Sequence, residues 1–538
     1  MRRNKPTSPL TQAHATENLS FFSLPSSHLL LTSSLSLSLS LFLTVKWGRA
    51  PAELGARVMA WGACIAALPL LLLLLLAAAA GGNGGVHCLE QGSRSRSRRA
   101  LQGRHKHHLR SRAVGGATVL ELRHHSFSSA PSKSREEEAD AFLSSDAARV
   151  ASLQWRIENY RLIGSAAAAS KAQVPVSSGA KLRTLNYVAT VGLGGGEATV
   201  IVDTASELTW VQCKPCDSCH DQQEPLFDPS SSPSYAAVPC NSSSCDALQV
   251  ATGMSGSPAC GGADRPACSY TLSYRDGSYS RGVLARDKLS LAGEAVDGFV
   301  FGCGTSNQGA PFGGTSGLMG LGRSQLSLVS QTADQFGGVF SYCLPLKESD
   351  SSGSLVLGDD SSVYRNSTPI VYTSMVSDPL QGPFYFLNLT GITVGGQEVE
   401  SPGFSSGKVI VDSGTVITSL APSIYNAVKA EILSQFAEYP QAPAFSILDT
   451  CFDMTGFKEV QVPSLKLVFD GGVEVEVDSS GVLYFVSSDS SQVCLAMAAL
   501  RSEYETSIIG NYQQKNLRVI FDTSASQVGF AQETCGYI

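Results

Sequence analysis

The string Val-Ile-Val-Asp occurs twice, at 200–203 and 409–412, and each copy runs into three small residues, Thr204-Ala205-Ser206 and Ser413-Gly414-Thr415. A β-branched run ending in Asp and then in turn-forming residues reads as a buried strand entering a tight turn. Two copies 209 positions apart (412 − 203) predict duplicated halves, each presenting one carboxylate to a shared cleft. A second pair of strings agrees. Leu318-Met319-Gly320 and Ile508-Ile509-Gly510 follow the two aspartates by 117 and 98 positions. Glycine at the end of such a strand allows it to pass close behind the Asp turn.

Two carboxylates that face each other a few ångströms apart cannot both ionise easily, so they share a proton. The ionised one takes a proton from a trapped water while the other donates to a carbonyl oxygen, which gives peptide hydrolysis without a covalent intermediate. Thr204, Ser206, Ser413 and Thr415 suit this task, because small hydroxyls fix carboxylates without filling the space the water needs. Other hydrolytic schemes fail on one count: residues 181–538 contain a single histidine, His220. It sits in a cysteine cluster, so neither a Ser-His-Asp machine nor a multi-histidine zinc site is expected. No metal or cofactor is expected.

From Leu185 onward the chain is short β-rich runs between Gly and Ser clusters. These include 187–192, 199–202, 355–358, 385–394 and 409–411, with one clear helix expected at 423–436 behind Pro422. The expected fold is mostly β and bilobal, with the cleft between two related lobes at 181–375 and 376–538. Charge divides the chain just before this region. Residues 1–180 carry 21 Lys+Arg against 10 Asp+Glu, and 181–538 carry 18 against 36, so a +11 segment precedes a −18 body. That asymmetry predicts a propeptide over 89–180 that leans electrostatically on its own domain. It also argues against nucleic acid as a partner. Within the segment a helix is expected at 139–160, with Phe142, Val150, Leu153 and Trp155 as its apolar positions.

Upstream, Met59 leads into the apolar run 70–80 and a small-residue exit, the pattern of a signal peptide over 59–88. It is too short for a stable membrane span. Residues 1–58 read as a gene-model extension or a targeting segment. Cys64 and Cys88 lie upstream, whereas twelve cysteines fall between Cys213 and Cys535, an even count that argues for disulfides in an oxidising compartment. The string Cys216-Asp-Ser-Cys219-His220 also matches a haem-attachment pattern, with stapling of a long loop as the plainer account. Asn241, Asn366 and Asn388 begin Asn-x-Ser/Thr sequons. Asp522, in Phe521-Asp-Thr-Ser524, lacks the Val-Ile-Val approach and reads as a strand-end turn.

The motifs together resemble the pepsin-type aspartic endopeptidases, and within them the nepenthesin-type enzymes of plants. Asp203-Thr-Ala-Ser-Glu-Leu-Thr-Trp-Val-Gln-Cys213, the cysteine-rich insert after it, Tyr274-Arg-Asp-Gly-Ser278, Val411-Asp-Ser-Gly-Thr415, Ile508-Ile-Gly-Asn511 and Val528-Gly-Phe-Ala531 carry the likeness, which covers roughly 185–538. It implies Asp203 and Asp412 as the catalytic dyad, Tyr274 on a flap, polypeptide substrates, a zymogen and a monomer. It also implies the pairs Cys213–Cys216, Cys219–Cys303, Cys240–Cys268, Cys245–Cys260, Cys343–Cys535 and Cys451–Cys494. The implied destination is the secretory route, to the apoplast, with vacuole or plastid as alternatives. Two departures stand out. Ala205 replaces the usual Gly, which would be strained if its φ were positive, and Arg275 replaces a flap Gly. A binding protein of the cereal xylanase-inhibitor type, with a weakened dyad, is the competing reading.

Overall fold

A computed structural model describes residues 111–114, 117–121, 132–158 and 171–538, the last without 253–259, 261–265, 275–276, 347–351, 377–381, 487–488 and 537–538. All described residues belong to the compact unit Gln102–Ile538. The expectations for residues 1–58, for the signal peptide and for Arg275 lie outside the described residues. Among those described, no helix is long and apolar enough to cross a membrane.

The architecture is mostly β. Each Val-Ile-Val-Asp copy is buried, the first closing the strand Gly196–Asp203 and the second running from the strand Lys408–Val411 into Asp412. Continuous β-branched runs of this kind belong in sheet interiors covered on both faces. Behind each lies a parallel neighbour: Gly317–Gly320 pairs with the first, Gly320 opposite Asp203, and Ser507–Ile509 pairs with the second, Ile509 opposite Val411. Both glycines are obligatory for this approach. A Cβ on Gly320 would sit 2.7 Å from the Glu207 carbonyl carbon, and one on Gly510 would sit 2.5 Å from the Val416 oxygen.

The two Val-Ile-Val-Asp strands lie in different sheets, of fourteen and eight strands, but the halves are joined. Strands Leu517–Asp522 and Gln527–Gln532, from the end of the chain, join the fourteen-stranded sheet of the first half through Val339–Cys343. The strand Ala172–Ser178 falls within the basic 89–180 segment, yet it is paired on both sides, with Gly353–Leu357 and Tyr187–Leu193. The helix expected at 423–436 is Pro422–Gln435. Asp522 ends its strand and accepts bonds from Ser524 N, Ser524 Oγ, Ala525 N and Gln527 Nε2, all within its own turn and the strand that follows.

The cysteines pair as Cys213–Cys303, Cys216–Cys219, Cys240–Cys260, Cys245–Cys268, Cys343–Cys535 and Cys451–Cys494. The last two agree with the family expectation and the other four correct it. Cys213 follows strand Trp210–Gln212, whose Val211 lies opposite Cys303, so these two cysteines meet across adjacent strands. Cys216 and Cys219 are left to each other, which also consumes the thiols of the haem-like string. In the insert, Cys245 and Cys268 are both fully buried in one apolar cluster and bond there, leaving the outer Cys240 and Cys260 as the second pair. Asn241 and Asn366 are exposed, whereas Asn388 is half-buried and donates its amide to both oxygens of Asp470.

Candidate active site

Both aspartates are fully buried, at the ends of their strands. The two turns lock together reciprocally. Thr204 N donates to Ser413 Oγ at 3.1 Å and Ser413 N to Thr204 Oγ1 at 3.0 Å. Each hydroxyl then donates onward to the opposite strand, Thr204 to Val411 O and Ser413 to Val202 O. Within each turn the carboxylate is clamped twice. Asp203 accepts from Ala205 N at 3.0 Å and Ser206 Oγ at 2.7 Å, and Asp412 accepts from Gly414 N at 2.9 Å and Thr415 Oγ1 at 2.5 Å. These bonds fix both side chains in near-symmetric poses.

The symmetry breaks at the third turn position. A Cβ on Gly414 would lie 2.6 Å from the Asp203 carboxyl, so only glycine fits there. Ala205 has no left-handed backbone, so the condition for strain is not met. Its methyl is fully buried beside Val150, Leu153, Ile157 and Phe384. Ala205→Gly therefore removes one packed methyl, and peptide cleavage should rise less than tenfold, under about 1.4 kcal/mol. Paired kcat/KM measurements check this.

Tyr274 lies at a hairpin tip between Ser269–Ser273 and Tyr279–Leu291, closed by Tyr274 N to Ser278 O and by Gly277 at φ +86°. Its ring packs edge-on against Phe312, with centroids 5.9 Å apart. Burial, and then the charge of Asp203, push its hydroxyl up to about 12, so it remains a donor. A small cavity beside it is lined by Ile201, Phe312, Leu318 and one unexpected residue, Arg149.

Arg149 belongs to the helix Ser132–Glu158, which starts earlier than expected and lies along the cleft. Its Nη2 donates to Asp203 Oδ1 at 2.7 Å and to Asp412 Oδ2 at 3.1 Å, and its Nε donates to Thr415 Oγ1 at 3.2 Å. One guanidinium nitrogen thus bridges both carboxylates. Burial opposes its charge, yet the two aspartates outweigh burial and hold it above its ordinary range. One turn earlier, Asp146 accepts from Val416 N at 2.8 Å and Ile417 N at 2.9 Å. Later in the helix, the Gln154 amide exchanges two bonds with the Thr506 main chain, at 2.6 and 2.7 Å, and Arg156 Nη1 donates to Ala205 O at 2.7 Å. Leu143, Val150, Leu153 and Ile157 form the buried stripe, whereas Trp155 points outward at 39 % exposure and Phe142 is half-buried. The hairpin Ser111–Val114 and Ala117–Glu121 lies upstream of this helix, with its second strand antiparallel to Glu459–Pro463.

These helix contacts were not read from the sequence. The available signals were the excess of basic charge before residue 181 and the spacing of Leu143, Asp146, Val150, Leu153 and Ile157, a repeat of three and four that marks one helix face.

Glu207 was also missed. It is buried, accepts from Ser324 N through Oε2, and has no hydrogen bond to Oε1 among the described residues. Burial, partly offset by the Arg156 charge, raises its pKa from 4.5 to about 7. The folded state therefore holds its proton more tightly than the unfolded chain does. Its stability contribution is fully present below pH 4.5 and is lost as pH rises through about 7. The full span is on the order of 3 kcal/mol. Thermal unfolding from pH 4.5 to 7.5 should show this decline, and Glu207→Gln should flatten it.

The comparisons with known proteins fall on the same region. The family descriptions "Xylanase inhibitor N-terminal" and "Xylanase inhibitor C-terminal" match residues 187–359 and 384–532. An aspartyl protease family protein of Arabidopsis thaliana is 41% identical over 396 residues, 72% of this chain and 81% of the relative. The chain belongs to the plant pepsin-type aspartic proteases. Nepenthesin-1 of Nepenthes gracilis, an aspartic proteinase, is 34% identical over 64% of this chain and 77% of the relative. Among solved structures, soybean basic 7S globulin superposes with a TM-score of 0.53 at 21% identity, over 68% of this chain and 98% of that one. That last likeness is one of fold alone.

Proposed function

We propose that the chain is the zymogen of an aspartic endopeptidase of the secretory route, in which the Ser132–Glu158 helix closes the cleft. After its removal, Asp203 and Asp412 activate a water in acid, cleave polypeptides directly, and need no metal or cofactor. The carrying observation is the reciprocal Thr204–Ser413 lock, which brings the two carboxylates so close that one Arg149 nitrogen reaches both. With the guanidinium gone, that position suits a water held by both carboxylates, and like charges at such range favour one shared proton. Tyr274 closes the opposite side as a permanent donor.

The removed segment is expected to part from the body between the helix end and strand Ala172–Ser178, since that strand is part of the main sheet. The processed protein is expected to work as a monomer in the apoplast. The test is peptide cleavage at acid pH by processed protein, with pepstatin as a transition-state mimic. Cleavage blocked by pepstatin supports the reading. Pepstatin binding without cleavage after processing would instead favour a binding protein on this scaffold, the reading suggested by the names of the matching family descriptions.

A further inference from the structure

The docked helix traces the groups that an incoming chain must satisfy. Asp146 and Gln154 answer main-chain groups, at Val416, Ile417 and Thr506, and Arg149 answers the dyad. Any extended polypeptide can replace the main-chain contacts with its own backbone, so they carry no side-chain preference.

Arg156 differs. Its guanidinium donates to the Ala205 carbonyl oxygen and lies over the Phe384 ring, 5.0 Å from the centroid. An incoming backbone amide can satisfy the carbonyl as well, so the preference for a cation rests on the Phe384 face. The half-buried site keeps water from screening it fully. Two residues beyond Ala205, the Glu207 carboxyl feels the Arg156 charge and has an oxygen without a hydrogen-bond partner among the described residues.

Position along the cleft follows from helix geometry. Arg156 is seven residues past Arg149, about 10 Å along the axis, and a helical side chain leans back toward the N-terminus. An extended chain covers that distance in about three residues.

We infer that the Arg156 seat, formed by the Ala205 carbonyl and the Phe384 ring, is a substrate subsite that selects an arginine or lysine side chain within about three residues of the scissile bond. This rests on the reading that the helix leaves the cleft on processing. The prosegment then holds its own enzyme through the side chain the enzyme seeks in substrates.

The experiment uses processed protein and peptides that differ only in arginine, lysine or citrulline at each of the three positions on either side of the cleaved bond. Citrulline keeps the shape of arginine and removes its charge. At one of these positions arginine should exceed citrulline in kcat/KM by at least about fivefold, the scale of a partly desolvated cation on an aromatic face. Lysine should fall between them, and in Phe384→Leu the ratio should drop below about twofold. An arginine-to-citrulline ratio near one at all six positions, or a ratio that survives Phe384→Leu, overturns the subsite.

If no peptide is cleaved, the protease reading fails on its own. The seat is then decided by fluorescence anisotropy with the 132–158 peptide. Replacing Arg156 of that peptide by citrulline should weaken binding about fivefold, and equal affinities overturn the proposal.

Discussion

Asp412→Asn should lower peptide cleavage by processed protein on the order of 10³-fold or more while leaving the fold intact. The substitution keeps the shape and one acceptor oxygen, for Gly414 N, while the amide NH2 takes the place of the Oδ2 that accepts from Thr415 Oγ1, so that hydroxyl must turn to accept instead. It leaves Asp203 without the second carboxylate that the acid–base pair requires, and neither His220 nor Tyr274 can replace it. His220 is bound to the Thr315 carbonyl, and burial lowers its pKa. Tyr274 holds its proton far above working pH. The Thr204–Ser413 lock is untouched, so the melting temperature of the variant should stay within a few degrees of the parent. Asp203→Asn should behave alike, because the two turns make equivalent bonds. Residual activity above about a tenth in either variant would place the chemistry on other groups. Kinetics at several acid pH values with the melting curve beside them separate loss of chemistry from loss of fold.

How much of this was legible beforehand depended on how local each signal was. Strand positions such as Gly196–Asp203 and Lys408–Val411 were readable because a β-branched run and the turn after it are written in consecutive residues. The dyad was readable for the same reason, doubled. The disulfides were less so. Cys343–Cys535 and Cys451–Cys494 followed the family pattern, but Cys213 finds Cys303 only because strands 90 residues apart lie side by side. On the 132–158 helix, hydrophobicity alone marks Trp155 as an apolar position beside Leu153, yet the helix turns Leu153 and Ile157 inward and Trp155 out. Arg149 could not be singled out from a segment rich in arginine. Its partners lie 54 and 263 positions away, so its role exists only once the fold has brought both turns together.

Arg149→Gln should convert a latent precursor into one that cleaves peptide without delay. The Arg149 side chain is 15% exposed and both aspartates are fully buried, so the contact is a desolvated cation between two carboxylates. Removing one partner of a buried ion pair costs roughly 3–5 kcal/mol, which weakens the helix's hold roughly 10²- to 5 × 10³-fold. Glutamine can still donate one bond, but it brings no positive charge to the two carboxylates and leaves room for water between them. Asp146 does not reverse the outcome in acid. Burial, the largest cause, raises its pKa from 3.8 to about 6, so its contribution to docking is fully present below pH 3.8 and lost as pH rises through about 6. Acid therefore tightens the Asp146 contact, so Asp146 is not the group that loosens the helix in acid. In progress curves at acid pH, the wild-type precursor should show a lag, Arg149→Gln should abolish it, and Arg149→Lys should retain most of it. An unchanged lag in Arg149→Gln would mean that the apolar stripe of Leu143, Val150, Leu153 and Ile157 holds the helix by itself, with the guanidinium as a passenger.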